Sequence, residues 1–222
     1  SRKHLQRESR VAATRQLVDA LGQLAKPPRL FVAASAIGFY GDRGDEELTE
    51  SSASGQDFLA DLCRAWEAES SRAAAFGARV VILRFGIILA KHGGALPRMA
   101  LPVRLGVGGR LGSGRQWMSW VMLEDVVGIV AHALNTSSFS GAVNVVAPNP
   151  IRNADFTTVL GRVLHRPTLF PAPAFALRLA LGEMAGALLL SSQRVLPQKA
   201  PEFGYFFLFQ SLEPALQNLF SR

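Results

Sequence analysis

Three short apolar runs stand out along the chain: Leu30-Phe-Val-Ala-Ala-Ser35, Arg79-Val-Val-Ile-Leu-Arg-Phe85 and Ala142-Val-Asn-Val-Val146. The first shows no alternation and reads as a strand covered on both faces, the pattern of a parallel sheet with helical crossovers; the second, dominated by β-branched residues, reads as another buried strand and the last as a third strand. Between them the period lengthens. Val11, Thr14, Val18, Leu21 and Ala25 recur at three- and four-residue steps, predicting a helix over 1–26 that Pro27 and Pro28 end. A second helix is expected over 56–76, with Phe58, Leu62, Trp66, Glu69 and Ala73 along one face. Glu124 and Asp125 suit the positive end of a helix running to Asn135. Asn153 reads as the N-cap of a helix reaching Leu164, and further helices are expected over 174–190 and 212–220. Strands alternating with helices give an α/β fold over 1–150, and the helix-rich stretch after Pro148 predicts a smaller lobe over 151–222.

Residues 84–125 carry the densest set of candidate groups. Lys91, Arg98, Arg104, Arg110 and Arg115 fall between positions 91 and 123, where there is no Asp or Glu, and the Gly-rich segments around them read as loops. A one-sided positive field of this kind calls for an anionic small molecule. Arg115 is the foremost candidate: it follows Gly112-Ser-Gly114, a loop able to bring backbone N–H groups to a phosphate, and its guanidinium offers two parallel donors. Trp117 and Trp120 either stack on a ligand ring or fill the core. Loops at the carboxyl ends of parallel strands bind ligands, which makes Ser35, Gly38 and Tyr40 candidates after the first strand and Arg84 and Gly86 after the second. An unpaired charge on a buried strand is costly, so Arg84 is either paired in the core or turned toward a ligand. The acidic stretch 42–50 reads as a solvated loop.

Composition narrows the field. Charged residues are 18% of the 222, so the chain is expected to fold around a substantial core. The net charge of +7 would suit nucleic acid, but the basic residues are scattered and no nucleic-acid motif occurs, so no nucleic-acid partner is expected. Cys63 is the only cysteine and the four histidines lie far apart, so neither a disulfide nor a metal site is expected, and a reducing compartment fits: the cytoplasm or an organelle interior. The most apolar stretch, 169–190, contains Pro171, Pro173, Arg178 and Glu183, and reads as a packed helix rather than a membrane span.

With these residues in view, Ser35-Ala-Ile-Gly-Phe-Tyr-Gly41, Arg84-Phe-Gly86 and Gly112-Ser-Gly-Arg-Gln-Trp-Met-Ser-Trp120 followed by Glu124-Asp125 resemble the strand ends and substrate loop of extended short-chain dehydrogenase/reductases. More narrowly, Ser9-Arg-Val-Ala-Ala-Thr-Arg15, Cys63-Arg-Ala-Trp-Glu67, Gly93-Gly-Ala-Leu-Pro97, Ala147-Pro-Asn-Pro150 and Gln193-Arg-Val-Leu-Pro197 resemble an atypical group within the epimerase family, described as cell-division-inhibitor-like. The resemblance implies a Rossmann-like, doubly wound sheet and NADP or NAD as cofactor, with NADP favoured. It implies a cofactor site at Ser35, Gly38, Tyr40, Arg84 and Gly86, catalytic roles for Ser35 and Tyr40, and substrate contacts from Arg115 and Trp117. The substrate class implied is a sugar nucleotide or other anionic small molecule.

The sequence departs from that family pattern in two ways. The Gly-rich dinucleotide turn is absent, so the resemblance implies a protein lacking its N-terminal Rossmann segment. The family's Tyr-Lys pair is absent too: Tyr40 and Tyr205 are followed at that spacing by Gly44 and Phe209, and aligning the helix on Glu67 puts Leu59 and Cys63 at the paired positions. The expected serine or threonine falls on Ala36, beside Ser35, and Met122 stands where the group more commonly shows histidine. These departures keep alternatives open beside an epimerase or reductase: a catalytically weak dinucleotide-binding sensor, or a structural subunit of a homo-oligomer or complex.

Overall fold

At the centre lies a sheet formed by the three apolar runs. Along the chain, α1 (Arg2–Arg7) passes through a π turn into α2 (Ala13–Gly22), and β1 (Leu30–Ala36), β2 (Glu47–Leu48), α3 (Phe58–Ser71), β3 (Arg79–Phe85) and β4 (Ile87–Leu89) follow. Then come α4 (Leu96–Arg104), β5 (Trp117–Met118), β6 (Trp120–Met122), α5 (Leu123–Asn135), β7 (Gly141–Val145), β8 (Ile151–Arg152) and α6 (Asn153–Val163). The last elements are α7 (Ala174–Leu181), β9 (Arg194–Val195), α8 (Lys199–Glu202) and α9 (Leu212–Phe220). This computed structural model describes residues 2–182 and 186–221, so Glu183, within the helix expected over 174–190, lies outside the described residues.

β1, β3 and β7 pair in parallel, in the order β1-β3-β7. Both faces are covered, as continuous apolar runs require. On one face Phe31 and Val80 pack with Val18 of α2 and with Ala73 and Phe76 beyond α3. On the other, Val32, Val81, Leu83 and Val143 pack with Ile129 and Ala133 of α5. The register sets Ser35 beside Arg84 and Arg84 beside Asn144, so three polar residues line up across the carboxyl ends of the strands. A separate apolar cluster joins α4, α6 and α9 around Trp120 and Phe156, drawing residues from both sides of position 150.

Several expectations are corrected. The stretch 96–104, read as loop, is helical: Leu96, Ala100 and Val103 are buried at helical spacing, while Pro97 in the first turn, Pro102 inside and flanking glycines disguise the pattern. Asn153 does not cap α6; Arg152 holds the cap position, and the Asn153 side-chain oxygen instead accepts the Leu111 N–H at 2.7 Å. Of the face expected for the second helix, Leu62 and Ala73 are buried, while Phe58, Trp66 and Glu69 are only partly so; Ala60, Cys63, Glu67 and Ser70 complete the buried side of α3. The stretch 169–190 is no single packed helix: α7 ends at Leu181, and its Phe175 and Leu179 are 74% and 87% exposed. No helix among the described residues is long and apolar enough to cross a membrane.

Candidate functional site

The polar row across the strand ends continues into α3. Glu67 and Arg84 are both buried, and each meets its charge requirement through the other. Arg84 Nε donates to Glu67 Oε1 at 2.9 Å and Nη2 to Oε2 at 2.8 Å, a bidentate pair. The Ser35 hydroxyl donates to Glu67 Oε1 at 2.6 Å. On the other side, Arg84 Nη1 donates to the Tyr40 hydroxyl oxygen at 3.0 Å, and Tyr40 donates onward to Asn144 Oδ1 at 2.7 Å. The Asn144 amide nitrogen reaches the Leu196 carbonyl, and its backbone N–H reaches Glu50 Oε1. The Phe39 ring lies 3.5 Å from the Arg84 guanidinium carbon.

This arrangement fixes protonation states. Burial pushes the Tyr40 hydroxyl up from its ordinary value, overcoming the opposing pull of Arg84. Burial also works against the Arg84 charge, yet the hydrogen bonds to Glu67, together with Tyr40, leave the guanidinium above its ordinary value. The nearby Cys63 thiol is pushed up by burial and then by the Glu67 charge, so it stays a thiol near neutral pH.

β1 runs into a 3-10 turn (Ile37–Tyr40). The α3 residues facing this turn are Leu59, 3.4 Å from where a Gly38 side chain would begin, and Cys63, whose sulfur lies 3.8 Å from the Ala36 carbonyl oxygen. α3 itself contains neither tyrosine nor lysine. Gly86 is required by the protein's own chain: a Cβ there would sit 2.5 Å from the Ser119 carbonyl oxygen. Ala34 is exposed in mid-strand between buried Ala33 and Ser35, so the sheet face opposite Ser35 is open at the level of the site.

Arg115 and Trp117 belong to a second, more exposed cluster. β5 pairs antiparallel with β8, setting Trp117 opposite Arg152. The Trp117 indole N–H donates to Asp45 Oδ1 at 2.9 Å, and Arg152 Nη2 donates to the same oxygen at 3.0 Å. The guanidinium carbons of Arg152 and Arg194 lie 4.5 and 4.8 Å from the Trp117 ring centre. Arg152 also donates to the Arg115 carbonyl oxygen, and the Arg115 side chain is exposed. Trp120, three residues on, is fully buried and donates to the Asn149 carbonyl oxygen, a core residue.

A short segment near the carboxyl end ties the clusters together. Gln193 Nε2 donates to the carbonyl oxygens of Ile37 and Gly41, while the Ser192 hydroxyl donates to that of Gly44 and accepts the Trp117 backbone N–H. Ser119 Oγ donates to the Gln193 carbonyl oxygen and accepts the Val195 N–H.

Of the sequence-predicted residues, the structure therefore joins Ser35, Tyr40 and Arg84 in one buried network, with Gly38 and Gly86 beside it, and places Arg115 and Trp117 in the other cluster. His92 and Arg98 are exposed, and Arg104 lies over the Phe220 ring. Sequence reasoning missed Glu67, Asn144, Asp45, Arg152 and Arg194 as members. Glu67 carried a usable signal: a carboxylate four residues after Cys63 on an otherwise small and apolar helix stripe, facing a strand that carries a buried arginine.

The comparisons with known proteins agree with this architecture. The NAD dependent epimerase/dehydratase family matches residues 2–146, and a domain of unknown function, DUF1731, matches residues 172–219. The epimerase family protein YfhF of Bacillus subtilis (strain 168) is 41% identical over 212 residues, 95% of this chain and 69% of that protein. The chloroplastic SDR39U1 homolog of Arabidopsis thaliana, also described as an epimerase family protein, is 39% identical over 213 residues, 95% of this chain and 61% of its own length. Among solved structures, human epimerase family protein SDR39U1 (isoform 2) with NADPH superposes with a TM-score of 0.92 at 33% identity, covering 96% of this chain and 72% of that one. The chain thus spans roughly two thirds of the length of these relatives, and it belongs to the NAD dependent epimerase/dehydratase family.

Proposed function

We propose that the protein is an NADP- or NAD-dependent oxidoreductase or epimerase acting on an anionic small molecule, of which a sugar nucleotide is one class. The observation that carries this reading is the close structural match, at 33% identity, to a human protein crystallised with NADPH. When bound, the dinucleotide supplies hydride chemistry. This chain's own part is to hold the site. Glu67 and Arg84 lock Ser35 and Tyr40 at the strand ends, and Gln193 fastens the turn that carries Gly38. In this reading Ser35 and Tyr40 form the floor of the catalytic site, Arg84 holds that floor, and Arg115 and Trp117 meet the substrate's anionic group. Residues 1–150 carry the cofactor and 151–222 complete the substrate side.

A second reading, a dinucleotide-binding sensor with little turnover, is favoured by one observation: the α3 positions facing the strand end are Leu59 and Cys63 rather than a tyrosine and a lysine. Calorimetric titration of NADPH and NADH into the complete gene product and into the 222-residue chain tests both. Micromolar or tighter binding by either form is expected. Absence of binding by both would overturn the two readings together, and bound cofactor that no anionic carbonyl or sugar substrate oxidises or reduces would leave the sensor.

A further inference from the structure

Beside the acidic loop, Arg152 and Arg194 flank one indole, Arg115 adds its charge nearby, and an anion already sits there. The Asp45 carboxylate accepts from both the Trp117 ring N–H and Arg152 through a single oxygen, Oδ1. Its pKa is held below the ordinary carboxylate range, first by the Trp117 hydrogen bond, then by Arg152, with the Arg115 charge adding. Yet this carboxylate uses only part of what surrounds it. The Arg115 guanidinium has no acceptor among the described residues. Arg194 pairs through Nη2 with Glu47 at 2.9 Å, but its Nε is buried with no acceptor among the described residues, an uncompensated donor in a half-buried side chain. One negative charge from Asp45 faces two positive charges, Arg115 and Arg152, that no other carboxylate takes up.

Asp45 is the exposed member of the cluster, with its side chain 69% exposed, while the loop backbone beside it is held by the Ser192 hydroxyl on the Gly44 carbonyl. Arg152 is held by the Arg115 carbonyl and the Trp117 ring, and Arg194 by β9 and Glu47.

We propose that the Trp117 N–H with the guanidiniums of Arg115, Arg152 and Arg194 is a receptor for the phosphoryl dianion of a small-molecule substrate, and that Asp45 holds this place as an internal anion until the ligand displaces it. A dianion answers the surplus charge and has enough oxygens for the unspent donors, which a single carboxylate does not. The inference rests on the reading of Arg115 and Trp117 as substrate contacts and specifies the group they contact.

The test is calorimetric titration of inorganic phosphate and pyrophosphate into the complete gene product saturated with NADPH, so that the dinucleotide's own phosphate site is filled. Asp45→Asn keeps an acceptor for the indole but removes the competing charge, and is expected to tighten binding about threefold to fivefold. Arg152→Ala is expected to weaken binding about tenfold or more, and Arg152→Lys, which keeps the charge but not the fork, nearly as much. Circular dichroism of each variant separates lost binding from lost fold. Unchanged or weaker binding by Asp45→Asn, or binding as tight as the parent's by folded Arg152→Ala and Arg152→Lys, overturns the proposal. If NADPH binds normally while these results fail, only the phosphate site falls; if NADPH itself does not bind, the cofactor reading falls.

Discussion

The two polar clusters are built to opposite specifications. In the network under the strand ends, Ser35, Glu67, Arg84, Tyr40 and Asn144 are buried and every charged group is answered. Around Trp117 the groups are half-buried or exposed, one oxygen serves two donors, and donors on Arg115 and Arg194 stand unspent. A satisfied buried network holds shape and resists change. An exposed cluster with surplus donors contributes little to stability and keeps its binding capacity for something else. One region supplies the frame, and the other is the proposed ligand site.

Mutagenesis sharpens that contrast most strongly at Glu67. Glu67→Ala leaves the buried Arg84 charge unpaired and is expected to cost about 3–5 kcal/mol, read as a lower urea midpoint. The double variant Glu67→Leu, Arg84→Met removes both charges and is expected to recover most of that loss, because the pair balances burial rather than adding net stability. If the single variant unfolds at the same urea concentration as the parent, the network is not a frame. Tyr40→Phe is a smaller perturbation. It deprives Arg84 Nη1 and Asn144 Oδ1 of a partner and is expected to cost about 1–3 kcal/mol.

Alkaline pH probes the frame without mutation. The chain has two tyrosines, and burial raises the pKa of both, with the Asp125 charge adding for Tyr205. A folded pKa above the unfolded one gives stability that is complete below about pH 10, the ordinary tyrosine value, and is lost as pH rises through the folded values. Tyrosinate absorbance is therefore expected to appear together with loss of tertiary circular dichroism. A tyrosine that ionises at its ordinary value in the folded chain would break this account. At the small end, Asp45→Asn is expected to leave the urea midpoint unchanged, since its pairs are solvated; a clear shift would make the Trp117 cluster structural after all.

The frame was largely legible in the sequence, because continuous apolar runs of strand length have few other interpretations. Arg84 could be read as a charge needing an answer, though the answer, Glu67, required knowing which face of α3 turns inward. The second cluster was legible only in part. Arg115 and Trp117 stood out in a cationic, Gly-rich stretch, but Asp45, Arg152 and Arg194 come from three other stretches, brought together by two-residue strand pairings with almost no sequence signature. α4 was hidden for a local reason: its prolines and flanking glycines mimic loop chemistry while Leu96, Ala100 and Val103 keep the helical spacing.

The segment around Gln193 carries one more consequence, in the order of events during synthesis. Its side chain closes on the Ile37 carbonyl across 156 residues and on that of Gly41 across 152. Emerging at about 5–20 residues per second, the chain carries an unfastened Ile37–Tyr40 turn for roughly 8–30 s after that turn is made. The sheet it hangs from can pair earlier, once β7 has appeared at residue 145. The Ile37–Tyr40 turn thus stays unfastened in the nascent protein until Gln193 has been made, well after the sheet it hangs from can pair.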